Sequence, residues 1–376
     1  MKKKISLFTT LILAFCFVTL GASSAFAQSE ITPGGPWITD NQNVNLNALH
    51  SYEELVKALK QIEKSSKGLV ELEVIGLTNQ GREIYLAKIG DPAKTPVMFQ
   101  TQQHGGEPMG TEAALKVIKF LATGSAQAME ILNQLYVLIV VRVNPDGAEL
   151  WQRYNDDPTA PDRQTSRGLY TSGGVGWDIN RFHFADWTDS LTYQAYLDDP
   201  VTYPYPENPV PEAQAVMDAF LEYQPIWIVD VHGQGTYVTD EGENVTSSML
   251  WPTNLSVAAD KVELSKQLCV VMMDQMSQYG YATVNLYPGG TYDGIARNAY
   301  GLAGAGSVLV EIKGGIGQKS VGMLVKHTEE QMISILEATA DGSLLVANSD
   351  RVDELDIGRS FYYKDLPPGE EEVEPE

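Results

Sequence analysis

Cysteine is nearly missing from this chain: there are two in 376 residues, Cys16 and Cys269. Cys16 falls in an N-terminal leader, so the expected mature chain keeps one and can form no intrachain disulfide. Stability must then come from a large apolar core, and a chain of this length is sufficient to build one. Cys269 sits in an apolar helical pattern and reads as a small core residue. Positive charge is also scarce, with 26 Lys and Arg against 49 Asp and Glu, a formal net charge of −23. A surface this acidic repels nucleic acid and anionic membrane. No stretch after the leader is long and charge-free enough to span a bilayer. No internal repeat is visible.

What is present begins with an address. Met1-Lys2-Lys3-Lys4 is followed by an apolar run over residues 7–20 and the small-residue pattern Ala25-Phe26-Ala27. This is the layout of a secretory signal peptide cleaved after Ala27, which predicts a secreted or periplasmic protein. Cleavage removes three lysines and no acids, taking the net charge from −23 to −26. Residues 28–47 read as an irregular, Pro/Gly-rich lead-in. Residues 346–376 end in PPGEEEVEPE and read as an acidic, disordered tail.

Between these ends the patterning alternates. Residues 51–62 are amphipathic, with Leu55, Leu59 and Ile62 on one face and Ser51 as a helix cap. Residues 69–77 and 82–89 read as a hairpin turned at Asn79-Gln80-Gly81. Residues 135–143, LYVLIVVRV, are apolar and β-branched enough to be a strand buried on both faces. Residues 226–231 and 307–312 are further strands; 212–223, 255–279 and 320–340 are helical patterns. Residues 144–211 form a long segment without clear periodicity, the kind that carries function. The alternation predicts an α/β protein: one α/β/α sandwich domain over 48–345 with a mostly parallel sheet.

The chemistry concentrates at strand ends. Residues 97–110, VMFQTQQHGGEPMG, pass from an apolar run into His104-Gly105-Gly106-Glu107 and then a helical pattern. Imidazole and carboxylate three residues apart can face one ion, with the glycines expected to allow the tight turn. The strand at 226–231 runs into a second histidine, His232. His104, Glu107 and His232 make a three-ligand set that leaves a fourth position on a tetrahedral zinc for water. The strand at 307–312 carries Glu311, placed to act as a general base beside such a water. Asn144-Pro145-Asp146-Gly147 makes a tight turn after the most apolar strand. Asn180-Arg181, in Asp178-Ile179-Asn180-Arg181, could grip a carboxylate, since the guanidinium fork matches its two oxygens. His50, His183 and His327 read as packing histidines, His183 beside the Asn-Arg pair.

Taken in order, His104-x-x-Glu107, Asn144-Pro-Asp-Gly147, Asp178-Ile-Asn180-Arg181, His232 and Glu311 resemble the zinc metallocarboxypeptidase family, over roughly residues 48–345. The resemblance implies one domain with a twisted, mixed eight-stranded sheet between helices. It implies one zinc ion held by His104, Glu107 and His232, with Glu311 as general base. Asn180 and Arg181 would hold the terminal carboxylate of a peptide, so that peptide or protein C-termini are the substrates and a monomer is expected. The family places an oxyanion-stabilising arginine between the Asn-Pro-Asp-Gly turn and the Asn-Arg pair. Arg153, Arg163 and Arg167 lie in that interval, and Arg153, in Gln152-Arg153-Tyr154-Asn155, is preferred. A tyrosine that closes over substrate is assigned to Tyr287, with Tyr292 as rival. The pocket floor for the departing residue falls near Tyr292-Asp293, which leaves open a neutral or a basic preference. The alternatives are a non-catalytic relative that binds peptides or cell-wall fragments, and a deacylase or cell-wall amidase on the same fold.

Overall fold

A computed structural model describes residues 49–162, 167–235, 237–239, 241–314 and 321–360. The expected signal peptide, the lead-in, Arg163 and the acidic end of the tail lie outside these residues. Twelve strands occur among the described residues: β1 (Val70–Leu77), β2 (Glu83–Ile89), β3 (Thr95–Thr101), β4 (Leu135–Val140), β5 (Thr171–Ser172), β6 (Gly176–Trp177), β7 (Trp227–Gln234), β8 (Tyr237–Val238), β9 (Ser247–Leu250), β10 (Val284–Leu286), β11 (Gly306–Lys313) and β12 (Arg359–Ser360). Eight of them form one mixed sheet in the order β1-β2-β4-β3-β7-β11-β9-β10. Four of its seven neighbouring pairs are parallel.

The central strands are apolar on both faces because both faces are covered. Phe99, Val229, Val231 and Val310 pack under the helices Met109–Ala122, Ala259–Ser277 and Val321–Asp341. Met98, Leu138 and Ile228 pack on the other face with the helix Pro211–Tyr223, Trp177, Phe182 and Tyr300. Each fully buried Leu, Ile or Phe contributes about 1.5–3 kcal/mol. Cys269 is buried in the first of these clusters.

The first helix, Tyr52–Ser65, starts where Ser51 and Glu54 form a reciprocal capping box, and it buries Leu55, Leu59 and Ile62. The hairpin at 78–82 is also as expected, antiparallel with Gly81 at φ 78°. Helix Ala126–Leu132, strands β9 and β10 and helix Ala296–Leu302 have no counterpart in the sequence reading; each is short and weakly periodic. The tail expectation is corrected in part. A 3-10 turn at Ser349–Glu354 buries Val352, and β12 pairs with β8, so order extends to residue 360. No helix among the described residues is long and apolar enough to cross a membrane.

Strands β3, β7 and β11 are neighbours at the sheet centre, which gathers residues far apart in sequence. Glu311 on β11 is in register with His232 on β7, and Gln100 on β3 with Asp230. The His104 turn leaves the end of β3. All these groups therefore collect beyond the carboxyl ends of adjacent parallel strands, where open α/β sheets hold ligands.

Candidate metal centre and active site

The turn carrying His104 and Glu107 is shaped by the residue before it rather than by left-handed glycines. Gln102 has φ 55°, and neither Gly105 nor Gly106 has a positive φ. A non-glycine residue there costs about 1–2 kcal/mol. The Gln102 side chain compensates by donating to Gly105 O (2.8 Å) and accepting from Thr111 Oγ1 (2.6 Å) and Arg142 Nε (2.9 Å). Gly105 is required for a different reason: a Cβ there would lie 2.0 Å from the Gly147 carbonyl carbon. The expected role of the glycines is thus corrected to close approach of two turns. Asn144 ties those turns together. Its Oδ1 accepts from Gly147 N (2.7 Å), and its Nδ2 donates to Gln103 O (3.0 Å) and Tyr154 O (3.1 Å).

His104, Glu107 and His232 converge, with one ligand atom of each within 4.8 Å of the others. His104 Nδ1 lies 2.8 Å from Glu107 Oε1; His232 Nδ1 lies 3.0 Å from Glu107 Oε2 and 3.1 Å from His104 Nδ1. A tetrahedron with bonds of about 2.0–2.1 Å has edges of about 3.3 Å, close to these spacings. Both rings turn their other nitrogen to a carboxylate: His104 Nε2 to Asp178 Oδ1 (3.1 Å) and His232 Nε2 to Asp230 Oδ2 (2.8 Å). Those carboxylates accept hydrogen bonds from the Nε2–H groups and leave the Nδ1 lone pairs facing one point, an arrangement that a cation between them would satisfy. Burial opposes a charge on His232, yet Asp230 and Glu107 raise its pKa well above the usual range; the same anionic surroundings would favour a metal cation at Nδ1 in place of a proton. Glu107 is held low by the two histidines against its own burial. The donor set therefore fits a small, nitrogen-tolerant divalent metal.

Glu311 stands beside this group on β11, buried, with Oε2 lacking a partner among the described residues. Burial, reinforced by Glu107, raises its carboxyl to about 7. Arg153 donates through Nε (3.1 Å) and its terminal nitrogen (2.9 Å) to Asp178 Oδ2, with 44% of its side chain exposed. Arg167 instead pairs at the surface with Asp198 (3.0 Å). Asn180 Oδ1 accepts from Ala296 N (2.9 Å), which leaves Nδ2, 3.4 Å from His232 Nε2, as a donor. Arg181 lies buried, 5.5 Å over the Tyr170 ring. Burial first, and then the Glu311 charge, raise the phenol of Tyr287 well above its usual range, and its ring lies 5.6 Å from that of Tyr237. Tyr292 packs against Tyr170 (5.0 Å) and Phe184 (6.2 Å), on the Arg181 side.

A family model described as "Zinc carboxypeptidase" matches residues 55–247, half of the chain. The chain belongs to the zinc carboxypeptidase family. Among curated relatives, it is 24% identical to the human carboxypeptidase N catalytic chain over 199 residues, 49% of this chain and 42% of that one. It is 32% identical to a zinc carboxypeptidase of Saccharothrix mutabilis subsp. capreolus over 141 residues, 35% of this chain and 31% of that one. The matches thus span less than half the length of these relatives. In structure it resembles carboxypeptidase A from Helicoverpa armigera, with TM-score 0.58 and 19% identity over 78% of this chain and 74% of that chain. That likeness is one of fold.

Zinc carboxypeptidases are zinc enzymes, and the nitrogen, nitrogen and oxygen donors found here suit that ion. Sequence reading missed several groups that hold these donors in place. Asp178 appeared in it only as part of a motif, and Asp230, Gln102 and Gln103 had no role. Asp230 was findable: in a strand, residues i and i+2 share a face, so Asp-x-His places a carboxylate beside the ring. The role of Gln102 was not, since its backbone conformation leaves no compositional trace.

Proposed function

We infer that this zinc carboxypeptidase is an exopeptidase that hydrolyses the last peptide bond of peptides bearing a free C-terminus. The observation that carries the reading is the register of His232 with Glu311 on adjoining strands, with His104 and Glu107 at the end of the next strand. His104, Glu107 and His232 are the residues that would hold zinc. Bound there, zinc supplies a Lewis acid and lowers the pKa of a water to about 7.

The chain's own residues account for the remaining tasks. Glu311, with its raised pKa and free oxygen, accepts the proton of the attacking water and passes it to the departing amine. Arg153, oriented by Asp178, neutralises charge that develops on the carbonyl oxygen. Asn180 and Arg181 take the terminal carboxylate; the guanidinium fork suits its two oxygens, and only a chain end offers it. Tyr287, whose phenol responds to the Glu311 charge, is the tyrosine that covers the reacting bond in this reading. The N-terminal leader pattern assigns the enzyme to an extracytoplasmic location.

The test is release of single residues from matched peptides with free and amidated C-termini. Zinc-loaded protein should act on the free form, lose activity to a chelator and regain it with zinc. Equal cleavage of amidated peptides, or none of either, would overturn the reading.

A further inference from the structure

The relay described here rests on reading His104, Glu107 and His232 as a metal centre. Behind His232 a single file of polar side chains crosses the core. His232 Nε2 lies 2.8 Å from Asp230 Oδ2, and the same oxygen lies 2.6 Å from Gln103 Nε2. Gln103 Oε1 lies 2.6 Å from His183 Nε2, and His183 Nδ1 lies 3.0 Å from the Tyr300 hydroxyl. None of the five is more than 1% exposed. They come from four separate places: β7, the His104 turn, the loop after the Asn-Arg pair, and helix Ala296–Leu302.

The charge on Asp230 fixes the direction of every link. A carboxylate accepts only, so Gln103 must present its NH2 to Asp230 and its carbonyl oxygen to His183. His183 must then carry its proton on Nε2, donating to Gln103, and Tyr300 donates its O–H to the free Nδ1. Burial, which lowers His183 to about 4, keeps that imidazole neutral, as this arrangement requires. The reverse direction, with Tyr300 donating to Gln100 Oε1 at 3.4 Å, would turn the Gln103 carbonyl onto the Asp230 carboxylate. At 2.6 Å that contact is repulsive.

We propose that Gln103, His183 and Tyr300 are positioning residues for the metal ligand His232: they lock Asp230 and thereby the tautomer and ring orientation that present Nδ1 to the metal. A polar staple of purely structural use would stabilise the fold without tuning the metal. The two roles separate in the zinc affinity of the full chain, measured by chelator competition beside the melting temperature of the metal-free protein. His183→Phe keeps a ring but removes the donor, and affinity should fall about tenfold, at the low end of losses seen for groups backing a ligand. His183→Gln restores an amide N–H near Nε2 and should bind within about threefold of wild type. Tyr300→Phe, which deletes only a hydroxyl, should lower affinity a few-fold at an unchanged apo melting temperature. The proposal is overturned if His183→Phe and His183→Gln bind zinc alike, or if affinity falls only in step with apo stability. Should His183→Phe fail to fold, Tyr300→Phe decides: unchanged affinity sinks the relay. A wild-type chain that bound no zinc would sink the metal-centre reading, and the relay with it.

Discussion

Asp178 holds His104 with one carboxylate oxygen and Arg153 with the other, at 3.1 Å on the ring side and 2.9 Å to the guanidinium terminus. One side chain therefore couples a proposed metal ligand to the group proposed for the oxyanion. Burial would raise its pKa, but Arg153, Arg181 and His104 hold it well below the usual carboxylate range. Asp178→Asn keeps the shape and removes the charge. Zinc affinity should fall about 10–100-fold, the usual loss for a carboxylate backing a ligand. kcat should fall as well, even with zinc saturating, because Arg153 loses its anchor. A loss confined to affinity would show that Arg153 positions itself unaided.

Glu311→Gln separates binding from chemistry. Glu311 is not one of the three converging ligands, so the variant should bind zinc as wild type does. Its amide cannot take a proton, and kcat should drop by about two orders of magnitude or more, the general-base share. Chelator competition and steady-state hydrolysis of one peptide measure both. Near-full activity would remove Glu311 from the mechanism.

How much of this was legible depended on whether a feature acts through side-chain type or through backbone geometry. The apolar run at 135–143 declares a doubly buried strand, observed over Leu135–Val140, and His104, Glu107, His232 and Glu311 each stand at or just beyond a strand end. Their convergence followed once those strands shared a sheet. The segment after Asn144 shows no clear periodicity, yet it holds the helices Pro145–Leu150 and Leu191–Asp198 and the small hairpin of β5 and β6. These are held by side-chain bonds such as Asn155 Oδ1 accepting from Trp177 N (2.7 Å), which no periodicity reports. His183 read as a packing residue because a lone histidine in an aromatic stretch usually is; its two nitrogens both have polar partners.

The contact of Gly105 with Gly147 gives a sharp stability test. A methyl group at Gly105 would overlap the Gly147 carbonyl carbon at 2.0 Å, and backbone on both sides cannot yield cheaply. Gly105→Ala should destabilise the protein by about 3 kcal/mol or more, the upper range for overpacking. Gly106→Ala has open space around its Cβ and should change stability by less than about 0.5 kcal/mol. Denaturant melts of the two variants make the comparison, and equal effects would show the two turns are not in contact.

Glu212 predicts a pH dependence of stability. It is fully buried, accepts from Asn155 Nδ2 at 3.0 Å, and its other oxygen has no partner among the described residues. Burial raises its carboxyl from 4.5 to about 7. A raised folded-state pKa means the proton is bound more tightly in the folded chain. The stabilisation is therefore complete below about 4.5 and is lost as pH climbs through 7. The loss amounts to about 3 kcal/mol at 1.36 kcal/mol per unit. Glu212→Gln should flatten this slope between about pH 5 and 7.5 in denaturant melts. An unchanged slope would place the titration elsewhere.

The departing residue should be neutral, and the argument turns on where two neighbouring side chains are committed. The Asp293 carboxylate is exposed and already accepts from Asn254 Nδ2, so it is engaged at the rim. Tyr292 instead lies among Tyr170 and Phe184 on the Arg181 side, with a hydroxyl that has no partner among the described residues. A lysine or arginine head group seated there would meet aromatic faces, a phenol and the like charge of Arg181, with the nearby Asp293 carboxylate already engaged by Asn254, which costs several kcal/mol. A Phe or Leu side chain would lose water on both sides and gain about 1.5–3 kcal/mol. Peptides ending in Phe or Leu should show kcat/KM at least about a hundredfold above those ending in Lys or Arg, roughly 2.7 kcal/mol at 1.36 per decade. Tyr292→Phe should leave hydrolysis of the Leu-terminated peptide within about threefold. It should also stabilise the chain, since a buried hydroxyl without an acceptor costs about 1–3 kcal/mol. A library varying only the last residue reads the ranking, and a preference for basic ends would mean the departing side chain meets Asp293 rather than Tyr292.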